Sequence, residues 1–299
     1  MNYVAFNLRG RLGNHLFQVA AVTSYAKEHN LIPVFIWDNT ENEAKSISEF
    51  LSSSKIVNAS FIESFEILEH NHFNYVKIPE IQQSTLLKGD YCFFQDVNYL
   101  NRNLTLALFE LPSLKLAVLE KYEDIAERTS IHVRRGDFVK REKIGSNQFV
   151  IPGLRYYLNA LKICGSDKLI IFSDDINWCK NRFKFKNVIF SDDDEEFSII
   201  AMSMCKNNII SASTFGWWGA YLNSHANKKV VAPKSWFKPN ASEVLNRLTS
   251  QESNLIHDSW IRLDTHESNY YEFFHRIKKI RRSIRDSIIT FLKRFRLKS

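Results

Sequence analysis

The sequence predicts an α/β chain built as two domains with parallel sheets, and three observations carry that expectation. Short runs rich in Val, Ile and Phe alternate with helical stretches at both ends of the body. A length of 299 residues is long for one domain and comfortable for two. Between the two alternating regions lies a charged connection, "EKYEDIAER", at 120–128.

The elements follow in order. "YVAFNL" (3–8) reads as a strand, "RGRLGN" (9–14) as a glycine-containing loop, and 15–30 as a helix that ends in Asn30. "IPVFIW" (32–37) is the next strand, which makes a βαβ unit and hence a parallel sheet. Residues 38–120 mix polar, apolar and aromatic side chains without a clear motif. The alternation returns with strands at 130–133, 168–173, 187–190, 208–211 and 229–233, and with helices near 155–161 and 195–205. The divisions expected are 1–125, 126–265 and a tail at 266–299.

Composition narrows the function classes. Cys92, Cys164, Cys179 and Cys205 show no CxxC pair and no metal-ligand spacing with histidine, as expected of reduced thiols in a cytoplasmic protein. No apolar run reaches the roughly 20 residues of a membrane-spanning helix. Charge enters by Arg9, so no signal peptide is expected. The net charge of +7 suggests nucleic acid until it is localised. Between Tyr270 and Ser299, ten Lys and Arg stand against Glu272 and Asp286, a net +8, which leaves −1 for the rest. A nucleic-acid enzyme spreads basic residues over its body, so no nucleic-acid partner is expected. In the tail, Phe273, Ile277, Ile280, Ile284, Ile288, Phe291 and Phe295 form one helical stripe among basic residues. That pattern suits a helix lying on the inner face of an anionic membrane, and equally one packed back on the body.

Ligands of open α/β sheets bind where strands end, and three such junctions carry polar groups. "HVRRGD" places His132 and Arg134 on one strand face and follows them with Arg135, Gly136 and Asp137. "IIFSDD" ends in Ser173, Asp174 and Asp175, and "NNIISAST" delivers Ser211, Ser213 and Thr214 to a helix start. Helix-start N–H groups, hydroxyls and forked guanidiniums suit a diphosphate, and carboxylates suit a nucleoside. The outline is a nucleotide-sugar site. Trp217 and Trp218, beside small residues, read as core, and the acidic "DDDEE" at 192–196 reads as a solvated loop rather than a metal site.

The ordered motifs "GRLGNHLFQ" (10–18), "HVRRGDF" (132–138), "IFSDDINWCK" (171–180) and "SASTFGWWGAYL" (211–222) resemble those of glycosyltransferase family 11, with α-1,2-fucosyltransferases among its members. "IPGLRYY" (151–157), "MSMCKNNII" (202–210) and "APKSWF" (232–237) extend the likeness. The resemblance implies a GT-B fold of two Rossmann-like domains facing a cleft, with the donor on the C-terminal domain and the acceptor on the N-terminal one. It implies GDP-β-L-fucose as donor, no cofactor and no metal, and inversion to an α-1,2 linkage on a galactose-type acceptor, such as a lipid-linked oligosaccharide in O-antigen synthesis. On these motifs the donor-binding residues are His132, Arg134, Arg135, Asp174, Asp175, Ser213 and Thr214. The catalytic candidates are Arg134, Asn14, His15 and Asp137, with His15 and Asp137 the two candidate bases. His15, Ala212, Gly216 and Ser198 depart from the family's usual Gln, Asn, Ser and Asp, which bears on acceptor and donor-sugar choice. Transfer of another nucleotide-activated sugar is the alternative within enzymes. A glycan-binding protein with a decayed site is the alternative outside them.

Overall fold

The computed structural model describes residues 1–37, 50, 54–70, 72, 75–89, 94–238 and 255–265. The basic tail at 266–299, with its amphipathic stripe, lies outside the described residues, as does Cys92.

Two parallel sheets organise these residues. The first uses β1 (Tyr3–Asn7), β2 (Ile32–Ile36), β3 (Lys55–Val57), β4 (Glu66–Glu69) and β5 (Thr85–Lys88) in the order β3-β2-β1-β5-β4. Helix α1 (Leu12–Glu28) joins β1 to β2. It begins three residues earlier than the sequence pattern suggests. Gly10 turns the chain at φ +85°, where a Cβ would fall 2.4 Å from Asn14 Nδ2, and extended Arg11 caps the helix. Asn14 therefore sits in the first turn rather than in a loop. At the other end Asn30, with φ +54°, stops the helix as read. Helices α2 (Arg102–Leu108) and α3 (Pro112–Lys121) then lead to the second sheet, and α3 covers part of the expected charged connection.

The second sheet uses β6 (Thr129–Val133), β7 (Lys168–Ser173), β8 (Asn187–Phe190), β9 (Asn207–Ile209), β10 (Val230–Pro233) and β11 (Ile261–Leu263), in the order β11-β10-β9-β6-β7-β8. Around it run α4 (Gly136–Lys143), α5 (Leu154–Cys164), α6 (Ile176–Arg182), α7 (Glu195–Met204) and α8 (Thr214–Tyr221). From β6 the chain winds to β8 on one side, then returns to β9 on the other. The strand order thus reverses between β6 and β9, the place where such sheets bind ligands. The first sheet reverses in the same way between β1 and β5.

Helices α1 and α8 bury residues on every side, because each packs against its own sheet and against the other helix. Phe17 meets Trp217 and Trp218 at ring-centroid distances of 4.5 and 4.8 Å. Trp218 Nε1 donates to the Gly13 carbonyl at 2.8 Å. Both tryptophans are 0% exposed, so they belong to the core, as their small neighbours imply. One apolar cluster runs from Val4 through this seam to Ala232. The seam holds the carboxyl ends of the two sheets' central strands around a common space.

Candidate functional site

Three of the chain segments that bound that space leave a strand at or beside a point of reversal. Gly10 to Asn14 follow β1, Arg134 and Asp137 follow β6, and Ala212 to Phe215 follow β9. Together they line a cavity of about 580 Å³. That size falls within the range of small-molecule sites.

Among the charged residues that line the cavity, Arg134 is braced on two sides. Its Nη1 lies 2.8 Å from Asp174 Oδ2, and its Nη2 lies 2.5 Å from Asp137 Oδ1 as an ion pair without hydrogen-bond alignment. The guanidinium also lies over the Phe138 ring, 5.3 Å from its centroid. Asp174 reaches this position because residue 136 is glycine; a Cβ there would fall 2.6 Å from Asp174 Oδ2. Asp174 Oδ1 accepts from the Arg135 N–H at 2.8 Å, so both its oxygens are engaged. The result is a guanidinium set in place before any anion arrives, the arrangement that makes electrostatic stabilisation effective.

The start of α8 supplies neutral donors beside it. Ser213 is the N-cap residue, yet its side chain makes no capping bond, so the first-turn N–H groups keep their capacity for a ligand. Thr214 Oγ1 donates to Asn14 Oδ1 at 3.2 Å, and Gln95 Nε2 donates to the same oxygen at 3.0 Å. The two helix starts approach closely because Gly13 has no side chain; a Cβ there would fall 2.6 Å from Thr214 Oγ1. Asn14 thus joins the β1 side of the cavity to the β9 side.

His132 forms part of the wall between these groups. Its Nδ1 is 2.9 Å from Ser211 Oγ, and its ring lies 5.3 Å from that of Phe215. Burial, aided by the positive Arg134, holds its pKa down to about 3, so the ring is neutral at ordinary pH.

Of the ten expected site residues, Asn14, His132, Arg134, Asp137, Asp174, Ser213 and Thr214 line the cavity. His15, Arg135 and Asp175 do not. His15 is 3% exposed inside α1, and burial lowers its pKa to about 4, so it is neither accessible nor basic enough to take a substrate proton. Arg135 stacks on Trp178, 4.1 Å from the ring centroid, and its Nε lies 3.4 Å from Asp175 Oδ2. Asp175 caps α6 by accepting from the Trp178 N–H at 3.2 Å. These two residues fasten α6 and stand outside the cavity lining. Asp137, the other candidate base, is held by Arg141 as well as Arg134.

The sequence pattern missed Arg141, Gln95 and Glu195, which also line the cavity. Arg141 was within reach of inference, one helical turn after Asp137. Gln95 stood in a stretch without a motif. Within the acidic loop, Asp193 is bonded by Lys121, Tyr122 and Ser191, and Asp194 caps α7. Among the described residues no group of three His, Cys, Asp or Glu is arranged to hold a metal ion.

The match to glycosyl transferase family 11 spans residues 3–264, from β1 to just past β11. The chain belongs to this family. It is 33% identical over 220 residues to the O-antigen biosynthesis glycosyltransferase WbnK of Escherichia coli, covering 66% of this chain and 69% of that protein. It is 37% identical over 125 residues to an Escherichia coli alpha-1,2-colitosyltransferase, covering 36% of this chain and 41% of that protein. Among solved structures it is similar to the NodZ alpha-1,6-fucosyltransferase soaked with GDP-fucose, at 11% identity and a TM-score of 0.48. That match covers 74% of this chain and 93% of the other. Each of the four segments on which the sequence resemblance rests contributes residues to the cavity.

Proposed function

We propose that this member of family 11 transfers L-fucose from GDP-β-L-fucose to the 2-hydroxyl of a terminal galactose-type residue, with inversion and without a metal, in the synthesis of a cell-surface glycan of the O-antigen kind. The observation that carries the reading is Arg134, fixed at the reversal point of the second sheet beside the open start of α8. The two-sheet arrangement suits a GT-B division, with the donor on the second sheet and the acceptor on the first.

In this mechanism the bond from the sugar's anomeric carbon to the diphosphate breaks as the acceptor oxygen attacks from the opposite face. Charge grows on the departing diphosphate, where Arg134 and the α8 N–H groups strengthen their bonds. Ser213 and Thr214 add hydroxyls, and Asn14 spans to the sugar side. With oxocarbenium character at the anomeric carbon, the acceptor's proton passes to solvent water or to the departing diphosphate after most of the barrier is passed. Neither His15 nor Asp137 is therefore required as a strong base. Metal independence draws on the same geometry: guanidinium and amide donors meet the diphosphate, while the acidic loop's carboxylates serve protein contacts.

The likeness to a colitosyltransferase favours a second reading, transfer of colitose from its GDP-linked form, which the same Arg134 and α8 groups would hold. Competition separates nucleotide classes. GDP should inhibit transfer and raise the melting temperature, while UDP and dTDP should do neither. Equal effects from all three would remove the guanine reading. Among the described residues no helix is long and apolar enough to cross a membrane. For the tail we propose peripheral attachment to anionic lipid near lipid-linked acceptors. Deletion of residues 270–299 should abolish sedimentation with anionic liposomes, and undiminished binding would refute the attachment.

A further inference from the structure

His132 shares a strand face with Arg134, and its ring is gripped on one edge. Ser211 Oγ sits 2.9 Å from Nδ1, and Ser211 is 0% exposed. Gly216, in the first turn of α8, gives the ring its place: a Cβ there would fall 2.4 Å from Nδ1 and 2.8 Å from Cγ. Among the described residues Ser211 Oγ has no hydrogen-bond partner except this ring. A buried hydroxyl that accepted from Nδ1–H would leave its own hydrogen without an acceptor. The consistent arrangement has the Ser211 hydroxyl donating to Nδ1. The imidazole proton then resides on Nε2, on the ring edge that has no protein partner among the described residues, in a side chain that lines the cavity.

We infer that Ser211 and Gly216 are positioning residues that lock His132 as a neutral Nε2–H donor aimed into the cavity, where it serves an acceptor atom of the nucleotide-sugar beside Arg134. This rests on the donor reading above for its ligand, though not for its tautomer. A neutral donor next to a guanidinium adds direction without adding charge. Aimed at an atom whose charge the reaction leaves unchanged, a sugar oxygen or a ring nitrogen of the base, it holds the ligand equally in the ground state and in the transition state. Its loss therefore weakens donor binding more than turnover.

The test has two parts. Ring ¹⁵N shifts of histidine in the full-length protein, with His132→Gln to assign the signals, should show His132 as the Nε2–H tautomer at neutral pH. Ser211→Ala should turn that pattern into a mixture of tautomers. With GDP-fucose as donor, Ser211→Ala should raise the donor KM about two- to threefold, as only part of the rings keep the competent tautomer, and Gly216→Ala, which displaces the ring, about tenfold, the scale of one hydrogen bond lost, with far smaller changes in kcat. A merely structural role would lower stability and active fraction with the donor KM and the tautomer intact. An Nδ1–H tautomer in the unsubstituted protein, or a Ser211→Ala variant with an unchanged ring and donor KM, would overturn the assignment. If GDP-fucose is no substrate, the ring shifts still decide the tautomer, so that outcome strikes the donor reading alone.

Discussion

The two sheets meet at one cavity but bring different chemistry to it. The second sheet's rim is charged and cross-braced: Arg134 is held by Asp174 and Asp137, and Arg141 pairs with Asp137. The first sheet's rim carries Arg11, which reaches Glu195 across the cavity at 3.6 Å, beside glycine backbone and carboxamides, with Asn14 Oδ1 bonded to Thr214 and Gln95. Asp96, a buried carboxylate on this side, accepts from the Tyr75 and Asn98 N–H groups. The contrast fits the proposed division of one cavity between two tasks. A guanidinium braced by carboxylates suits the partner that becomes more negative during reaction, and carboxamides beside open backbone suit a sugar hydroxyl.

The contrast breaks most visibly at Arg134. Arg134→Ala should lower kcat/KM by about 10² to 10⁴, the scale of losing one electrostatic donor to a transition state. Arg134→Lys should recover little, because an ammonium cannot bridge two carboxylates and a diphosphate in the forked geometry. Unfolding curves should move by only about 1–2 kcal/mol, reflecting two carboxylates left without their partner. Steady-state kinetics beside thermal melts separates these effects. Near-normal turnover would place the leaving-group stabilisation elsewhere.

Asn14 tests the first sheet's rim. Asn14→Ala removes the acceptor shared by Thr214 and Gln95, and should reduce kcat/KM about tenfold, the scale of one to two hydrogen bonds. GDP should still raise its melting temperature as in the unsubstituted protein. A variant that loses GDP binding instead would assign Asn14 to the charged task.

How much of this was legible in the sequence also differs between the two sheets. β7 and β8 follow the apolar runs residue for residue, because each run is short and bounded by polar residues, with β7 buried in the sheet and β8 half-buried at its edge. β3, β4 and β5 are three or four residues long and carry exposed positions, so no periodicity reveals them. In the site, Arg134, Asp174, Ser213 and Thr214 were readable because strand-end chemistry is local. Arg135 and Asp175 carry the same local signal but stand outside the cavity lining. Sequence adjacency cannot show that Arg135 turns to Trp178 while Arg134 turns to the cavity. Gln95 reaches the cavity only through tertiary placement.

A smaller effect concerns acid stability, to which both halves contribute. Burial lowers the pKa of His15 and His70 to about 4, and of His132 to about 3. Each is neutral when folded and titrates near 6.5 when unfolded, so the unfolded chain binds more protons below that pH. Stability is therefore fully present above about pH 6.5 and declines as pH falls toward 4, by on the order of 1–2 kcal/mol per histidine at pH 5. Denaturant melts from pH 8 to 5 check this, and His70→Gln should flatten the decline. A flat profile in the unsubstituted protein would show these rings to be solvated. The smallest expected effect is that of chelator: excess EDTA should leave turnover unchanged, whereas loss restored by Mg²⁺ or Mn²⁺ would mean a metal carries the diphosphate.

The central claim is tested most directly by supplying labelled GDP-fucose and a terminal β-galactoside to the purified chain and determining the linkage of the product. The account predicts fucose joined α-1,2 to galactose, with release of GDP in equal amount and product from Arg134→Ala formed at least about a hundredfold more slowly. A fucosylated product with another linkage, or no transfer while a different nucleotide-sugar is consumed, would contradict it.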